Sequence, residues 1–309
     1  MSERMITVLG PTASGKTRLA VALASDLGAE IISADSRQVY CNMDIGTGKD
    51  LADYVYDGHA VPHHLIDIVP AGTKYNLYEY QKDFHTVYDD LVSRSITPIL
   101  CGGTGLYIEA VLGGYSLSPV PQNPELRASL EHKPLDELTQ ILIELKAQNG
   151  SHMHNRTDVD TCQRAIRAIE IEAYNKLHRV SLRALPPIES LIIGLHIDRE
   201  ERRRRITERL RYRLEHGLIE EVKELLDGGI PQENLIYYGL EYKYVTEYVT
   251  GLISFETMFG QLETAIHQFA KRQMTWFRGM ERRGYKINWI DATKPLEENI
   301  HHIKQLLWQ

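Results

Sequence analysis

An α/β architecture, a parallel sheet flanked by helices with an all-helical subdomain inserted in it, is predicted from three features of the chain. Short apolar runs at 5–9, 29–34, 97–101 and 190–197 alternate with amphipathic helical stretches, the pattern of strand–helix–strand units in a parallel sheet. The first run opens into Gly10-Pro11-Thr12-Ala13-Ser14-Gly15-Lys16-Thr17, which fits G-x-x-x-x-G-K-[ST] between a buried strand and an alanine-rich helix. From 125 to 180 the periodicity is helical only, bounded by Gly113-Gly114 with Pro119, Pro121 and Pro124 on one side and Pro186-Pro187 on the other. The expected organisation is a P-loop NTPase-like core over 1–118 and 186–309, with a helical insert over 119–185.

The P-loop carries its own chemistry. Gly10 and Gly15 permit a tight turn, so that successive N–H groups and the next helix N-terminus face phosphate oxygens. Lys16 adds a mobile positive charge, and the Thr17 hydroxyl is the ligand expected for a phosphate-bound Mg²⁺. The loop does not say whether it holds a nucleoside triphosphate or a diphosphate ester. Along the chain, the second strand ends at Asp35-Ser36-Arg37-Gln38-Val39-Tyr40, at the edge where parallel sheets bind ligands. Position alone leaves Asp35 three roles: Mg²⁺ ligand, general base, or helix or turn cap. Met43–Lys49 and Val61–Asp67 read as irregular loops on the ligand side of the sheet. The helix from about 78 to 95 leads to the strand at 97–101, which ends in Gly102-Gly103-Thr104-Gly105-Leu106-Tyr107; Thr104 offers a hydroxyl there.

In the insert, Gln163 and Arg167 share one helical face and Ile166, Ile169 and Ala173 another. After the strand at 190–197, Asp198 can cap a helix with Glu201 at the capping-box position. That helix has a stripe of Ile206, Leu210 and Leu214 beside one of Arg205, Arg209 and Arg213. The remainder reads as helices over roughly 217–227, 239–250 and 254–278, a strand at 285–290 and a final helix. Lys271–Arg278 interleaves bases with Trp276 and Phe277, which suits either a nucleic-acid contact or buried aromatics flanked by cations.

Composition bounds the function. Hydrophobic and charged fractions of 43% and 25% are those of an ordinary globular protein. No apolar run spans a bilayer and the first residues lack a signal-peptide layout, so a cytoplasmic protein without a membrane partner is expected. Cys41, Cys101 and Cys162 are far apart and read as structural thiols, and His63-His64 and His301-His302 as turn or surface residues rather than metal ligands. A net charge of −7 argues against a protein that coats nucleic acid with its whole surface. Arg199–Arg213 nevertheless holds eight arginines against three glutamates, and 263–286 six basic residues against two acidic. Local patches of this kind bind polyanions within an acidic protein.

The motifs GPTASGKT (10–17), DSRQVY (35–40), MDIGTGK (43–49), HHLIDI (63–68), GGTGLY (102–107), QRAIRAIEI (163–171), RITERL (205–210) and KRQMTWFR (271–278) together resemble the bacterial branch of the tRNA isopentenyltransferase family, in that family's order and over nearly the whole chain. The resemblance implies dimethylallyl transfer from dimethylallyl diphosphate to N6 of the adenosine 3′ of the anticodon, in tRNAs reading U-starting codons, with Mg²⁺ and without ATP. It implies that Gly10 to Thr17 hold the diphosphate and that Lys16, Thr17 and Arg209 stabilise its departure. Asp35 then serves as base or acceptor for the amine, oriented by Thr104. It further implies that Ser36, Arg37 and Gln38, together with Arg127 and the segment Gln163, Arg164, Ala165, Ile166 and Arg167, contact tRNA. The enzyme is expected to be a monomer.

The chain departs from the family pattern at Asp50, at Arg213, and in Tyr238-Gly239-Leu240-Glu241-Tyr242, where a tyrosine is displaced. These departures bear on tRNA preference more than on the reaction. Rival readings are an adenylate isopentenyltransferase acting on free nucleotides, a P-loop small-molecule kinase, and a tRNA-binding regulator without turnover.

Overall fold

The computed structural model describes residues 4–117, 119–149, 159–178 and 185–308. Two compact units divide it, 1–113 with 187–309, and 114–186.

The larger unit begins with β1 (Met5–Leu9) and α1 (Lys16–Leu27), then β2 (Glu30–Ser33). A 3₁₀ turn (Leu51–Tyr54) leads to a small antiparallel ribbon of β3 (Val55–Tyr56) and β4 (His59–Ala60), and then to β5 (His63–His64). Next come α2 (Leu77–Ser93), β6 (Pro98–Gly102) and α3 (Gly105–Leu112). Asn76 caps α2 in a reciprocal capping box with Glu79, which fixes the start of that helix.

The smaller unit holds α4 (Pro124–Leu130), α5 (Leu135–Gln148) and α6 (Cys162–His178). Leu130, Leu138, Leu142, Ala165 and Ile169 form its core. The expected helical stretches at 150–158 and 179–180 lie outside the described residues.

The chain then resumes the larger unit with β7 (Ser190–His196), α7 (Arg199–Glu215), α8 (Leu218–Asp227), α9 (Gln232–Tyr237), α10 (Leu240–Val249), α11 (Phe255–Arg282), β8 (Ile287–Asp291) and α12 (Leu296–Leu307). Asp198 caps α7 through the amides of Glu200 and Glu201. Glu201 does not close the expected capping box, because its carboxylate is taken by Arg204 and Arg205.

Six parallel strands form one sheet in the order β5-β2-β6-β1-β7-β8. Side chains alternate between its faces, as the period of two requires. Ile6, Val8, Ile31, Ile99 and Ile193 pack with Leu19 and Leu23 of α1 and Ile303 of α12. Met5, Leu9, Ile32, Leu100 and Ile192 face the opposite layer, with Phe84, Ile108, Ile206, Leu210 and Phe277. Both faces being covered explains why the strands read as unbroken apolar runs rather than alternating ones.

The His63-His64 segment, expected to be an irregular loop, is instead the edge strand, in register with Ile31 and Ile32. His64 Nε2 lies 2.7 Å from Glu30 Oε2, and the His63 ring packs tilted against Tyr54 with ring centroids 4.3 Å apart. Among the described residues no helix is long and apolar enough to cross a membrane.

Candidate active site

Three loops leave the carboxyl ends of β1, β6 and β2, which are adjacent in that order. They carry the P-loop, Thr104 and Asp35. In the P-loop, Ala13 and Gly15 have φ of 61° and 82° on either side of Ser14, an alternation that turns successive amides toward one point. Gly15 precedes the first residue of α1 in the left-handed region, where a side chain would be strained.

The charges around this loop are unusual. Lys16 makes no hydrogen bond or ion pair among the described residues. Burial pulls its amine pKa down, and Asp35 and Asp50 pull it back up while Arg209 opposes them. Arg209, brought in by α7, donates through Nη2 to Thr12 Oγ1. Burial and the charge of Arg213 push its pKa down to about 10. Two half-buried cations at one loop, neither paired with a carboxylate, favour an anionic ligand. Ser14 Oγ is buried without a partner among the described residues, and is a further polar atom turned to this loop.

The loop is held in place from afar. Gln273 on α11 accepts from Thr12 N at 2.8 Å and donates to Gly103 O at 2.9 Å, tying the P-loop to the Thr104 loop. Sequence reading assigned Gln273 no role. A signal was present, since it shares a stripe with Ala270 and Phe277, both fully buried. The same stripe settles Lys271–Arg278: Phe277 is core, and Trp276 packs against Gly105.

Asp35 Oδ1 accepts from Arg37 N at 2.9 Å, an Asx turn that leaves its second oxygen without a partner among the described residues. Thr104 Oγ1 accepts from Ser36 N at 3.1 Å and donates to Ser36 Oγ at 3.4 Å, a long bond that an incoming acceptor can replace. Arg37 lies over the Tyr237 ring, 5.6 Å from its centroid. Gln38 has both ends engaged inside the fold, with Ser33 Oγ and Gly48 O.

The Met43–Lys49 loop, expected to be an irregular loop on the ligand side of the sheet, is braced from within the fold. Its amides at Asp44, Ile45 and Gly46 form an anion nest, and the Glu221 carboxylate fills it at 2.7 to 2.9 Å while also accepting from Tyr242 OH at 2.7 Å. Lys49 is fully buried, donating to Tyr40 O and Asp44 and paired with Asp67. Both groups pin loops together.

The arginine stripe of α7 separates in the same way. Arg205 pairs with Glu201, Arg209 reaches the P-loop, and Arg213 is buried against Asp50. Two of the family departures thus meet each other. The displaced-tyrosine segment places Tyr238 and Tyr242 in the core and Glu241 within electrostatic reach of Arg209 and Arg213.

In the helical unit, Gln163 and Arg164 are exposed and Arg164 pairs with Asp160. Ile166 is half-buried, and Ala165 is fully buried in the helical core. The Ala165 side chain thus faces the helical core and has no surface of its own to offer RNA. Arg127 forks onto Glu170, and Arg167 bonds both Glu170 and Val120 O. Burial alone would raise the Glu170 pKa, but Arg127, the Asn123 amide and Arg167 pull it down to about 2.

A folded-state pKa below the unfolded one means stability present above pH ~4.5 and lost as pH falls toward ~2. Glu170→Ala should therefore cost about 3 kcal/mol by stranding two arginines, and should flatten the acid limb. Denaturant melts of wild type and variant between neutral and acidic pH check this, and equal stabilities would show the triad to be inert.

The three cysteines are free thiols, and burial pushes Cys101 up to about 12, so it is unreactive. No cluster of three or more His, Cys, Asp or Glu side chains suited to a metal occurs among the described residues. Thr17, at the end of the P-loop, suits a hard cation that takes most of its ligands from phosphate and water, which is how Mg²⁺ binds.

Comparison with known proteins identifies the family. A sequence model described as IPP transferase matches residues 38–280, and one described as isopentenyl transferase matches 3–58. The chain is 63% identical to tRNA dimethylallyltransferase 1 of Porphyromonas gingivalis, over 98% of each chain. It is 61% identical to tRNA dimethylallyltransferase 1 of Parabacteroides distasonis, over 99% of this chain and 98% of that one. Its fold matches the crystal structure of the full-length tRNA isopentenylpyrophosphate transferase of Bacillus halodurans with a TM-score of 0.71 at 31% identity, covering 99% and 96% of the two chains. A parallel sheet with a P-loop at its carboxyl edge, two unpaired cations and full-length similarity of this order place the chain in the tRNA dimethylallyltransferase family.

Proposed function

We propose that this enzyme transfers the dimethylallyl group of dimethylallyl diphosphate to N6 of the adenosine 3′ of the anticodon, in tRNAs that read U-starting codons, releasing diphosphate. The observation that carries the reading is the pair Lys16 and Arg209, half-buried and without carboxylate partners, across the sheet edge from Asp35 and Thr104.

An exocyclic adenine amine is a weak nucleophile, so rate comes from alignment and from neutralising the leaving group. In the reaction the C–O bond to diphosphate breaks as the C–N6 bond forms, and N6 gives up one proton. Lys16 and Arg209, with the amides of Gly10 to Thr17, receive the charge that develops on diphosphate. The unpartnered oxygen of Asp35 takes the amine proton, and the Thr104 hydroxyl donates to the base and orients it. Thr17 is the residue that would hold Mg²⁺, which when bound supplies further neutralisation of the diphosphate.

The adenosine must leave its stack to enter such a site, at modest cost in a single-stranded loop. Ser36, Arg37, Arg127, Gln163, Arg164 and Arg167 contact the RNA in this reading. Phosphate contacts by their guanidinium groups make binding salt-sensitive. The enzyme works as a monomer in the cytoplasm and uses no ATP.

The test is incubation with Mg²⁺, labelled dimethylallyl diphosphate and either tRNA or free adenine nucleotides. Label in tRNA alone is the expected result. Label in nucleotides alone, or ADP released from ATP, would overturn the reading.

A further inference from the structure

Arg213 lies one turn beyond Arg209 on α7, and side chains four apart on a helix are neighbours. Arg209 is bonded to the P-loop Thr12, and Arg213 lies within electrostatic reach of Arg209. Its side chain is 8% exposed, and Nη2 sits 3.0 Å from Asp50 Oδ2 and 3.3 Å from Oδ1. The neighbouring loop approaches it closely: Gly48 has φ of +64°, and a Cβ there would overlap the Arg213 guanidinium. The partner is held less tightly. Asp50 is 47% exposed, and its other electrostatic neighbours include Lys16 and Arg209. The other acids close to Arg213, Glu241 and Asp53, are both pushed by burial toward their neutral forms and are poor counter-ions.

A guanidinium cannot neutralise itself by losing a proton, and it offers a planar fork that fits phosphate as well as carboxylate. Exchanging a half-exposed carboxylate for a phosphate oxygen costs little, because the released acid is rehydrated.

We propose that Arg213 is a third cation for the diphosphate and that Asp50 competes with the diphosphate for it. Asp50 thereby weakens retention of the released product, a step that often limits turnover. This rests on the reading of the P-loop as a diphosphate site.

Titration calorimetry with inorganic pyrophosphate and excess Mg²⁺ tests it, on wild type, Asp50→Asn, Arg213→Met, the double variant, and Lys16→Ala as a control. Arg213→Met should weaken binding about 10-fold, the loss of one charge-assisted hydrogen bond, and Asp50→Asn should tighten it about 5-fold. In the Arg213→Met background, Asp50→Asn should have no effect, since the competition no longer exists. Product inhibition by pyrophosphate should follow the same order, which a purely structural pair would not produce.

Equal affinities in wild type, Asp50→Asn and Arg213→Met, with Lys16→Ala weakened, would overturn the inference and leave the diphosphate site standing. Tightening by Asp50→Asn in both backgrounds would also overturn it, since Asp50 would then act through Lys16. Unchanged binding in Lys16→Ala would sink the diphosphate reading itself. If Arg213→Met does not fold, Arg213→Lys, which keeps the charge and loses the fork, should still bind more weakly than wild type, and Asp50→Asn decides independently.

Discussion

Lys16→Met should lower kcat/KM for dimethylallyl diphosphate by about 10³-fold, the scale of removing a preorganised charge from a developing oxyanion. It should leave tRNA affinity within about 2-fold, the small change normal for a site with no contact to the varied residue. The same substitution should make the protein more stable. Lys16 is desolvated with no ion-pair partner, and its pKa is lowered accordingly, so its charged form is a cost of folding near neutral pH. The sign is fixed by linkage. Between the lowered folded pKa and the unfolded value of 10.5 the unfolded chain binds more protons, so Lys16 makes wild-type stability rise with pH in that window. Lys16→Met should remove that contribution and raise Tm at neutral pH. It should also abolish the upward Tm shift that diphosphate gives the wild type. A variant with lower Tm and normal turnover would mean that the amine serves packing rather than phosphate.

Asp35→Asn should cut kcat by about 10²-fold or more, in the range for losing a positioned general base. Asparagine is the informative replacement because the structure gives the carboxylate two separable tasks. Oδ1 accepts from Arg37 N and shapes the turn, and an amide oxygen does that equally well. Taking a proton from the amine needs the carboxylate. Asp35→Ala removes both, so the difference between the two variants measures the turn. Single-turnover rates with prebound tRNA, together with tRNA dissociation constants, check this. Full activity in Asp35→Asn beside loss in Asp35→Ala would reduce Asp35 to a cap.

The two variants address different groups on one sheet edge, and their effects are expected to add, since Lys16 acts on the leaving group and Asp35 on the nucleophile. A combined loss no greater than the larger single loss would show that the two residues act as one unit through their mutual field.

Much of this was legible from residue order because it is local. The strand–loop–helix at 5–27 needs only an apolar run, two glycines and a helix former to be recognised, and Asp35 and Thr104 follow because parallel strands all end on one edge. The buried stripe Ile206, Leu210 and Leu214 is where helical periodicity puts it. The short edge strand at His63-His64 was not legible, since a pair of histidines carries no period-two pattern.

What residue order could not assign is which charged side chain meets which. A helical face says that Arg205, Arg209 and Arg213 are neighbours; it does not say that one pairs with Glu201, one reaches Thr12 and one is buried against Asp50. Lys49 ends a glycine-rich loop and is consumed by Asp44 and Asp67, and the amide nest beside it is filled by Glu221 from α8. Gln273 braces an amide 261 residues away. Local propensity and apolar period act within one segment, so they can be read from one segment. The role of a charge is set by its desolvation and its counter-ions, and both come from parts of the chain that only folding brings into contact.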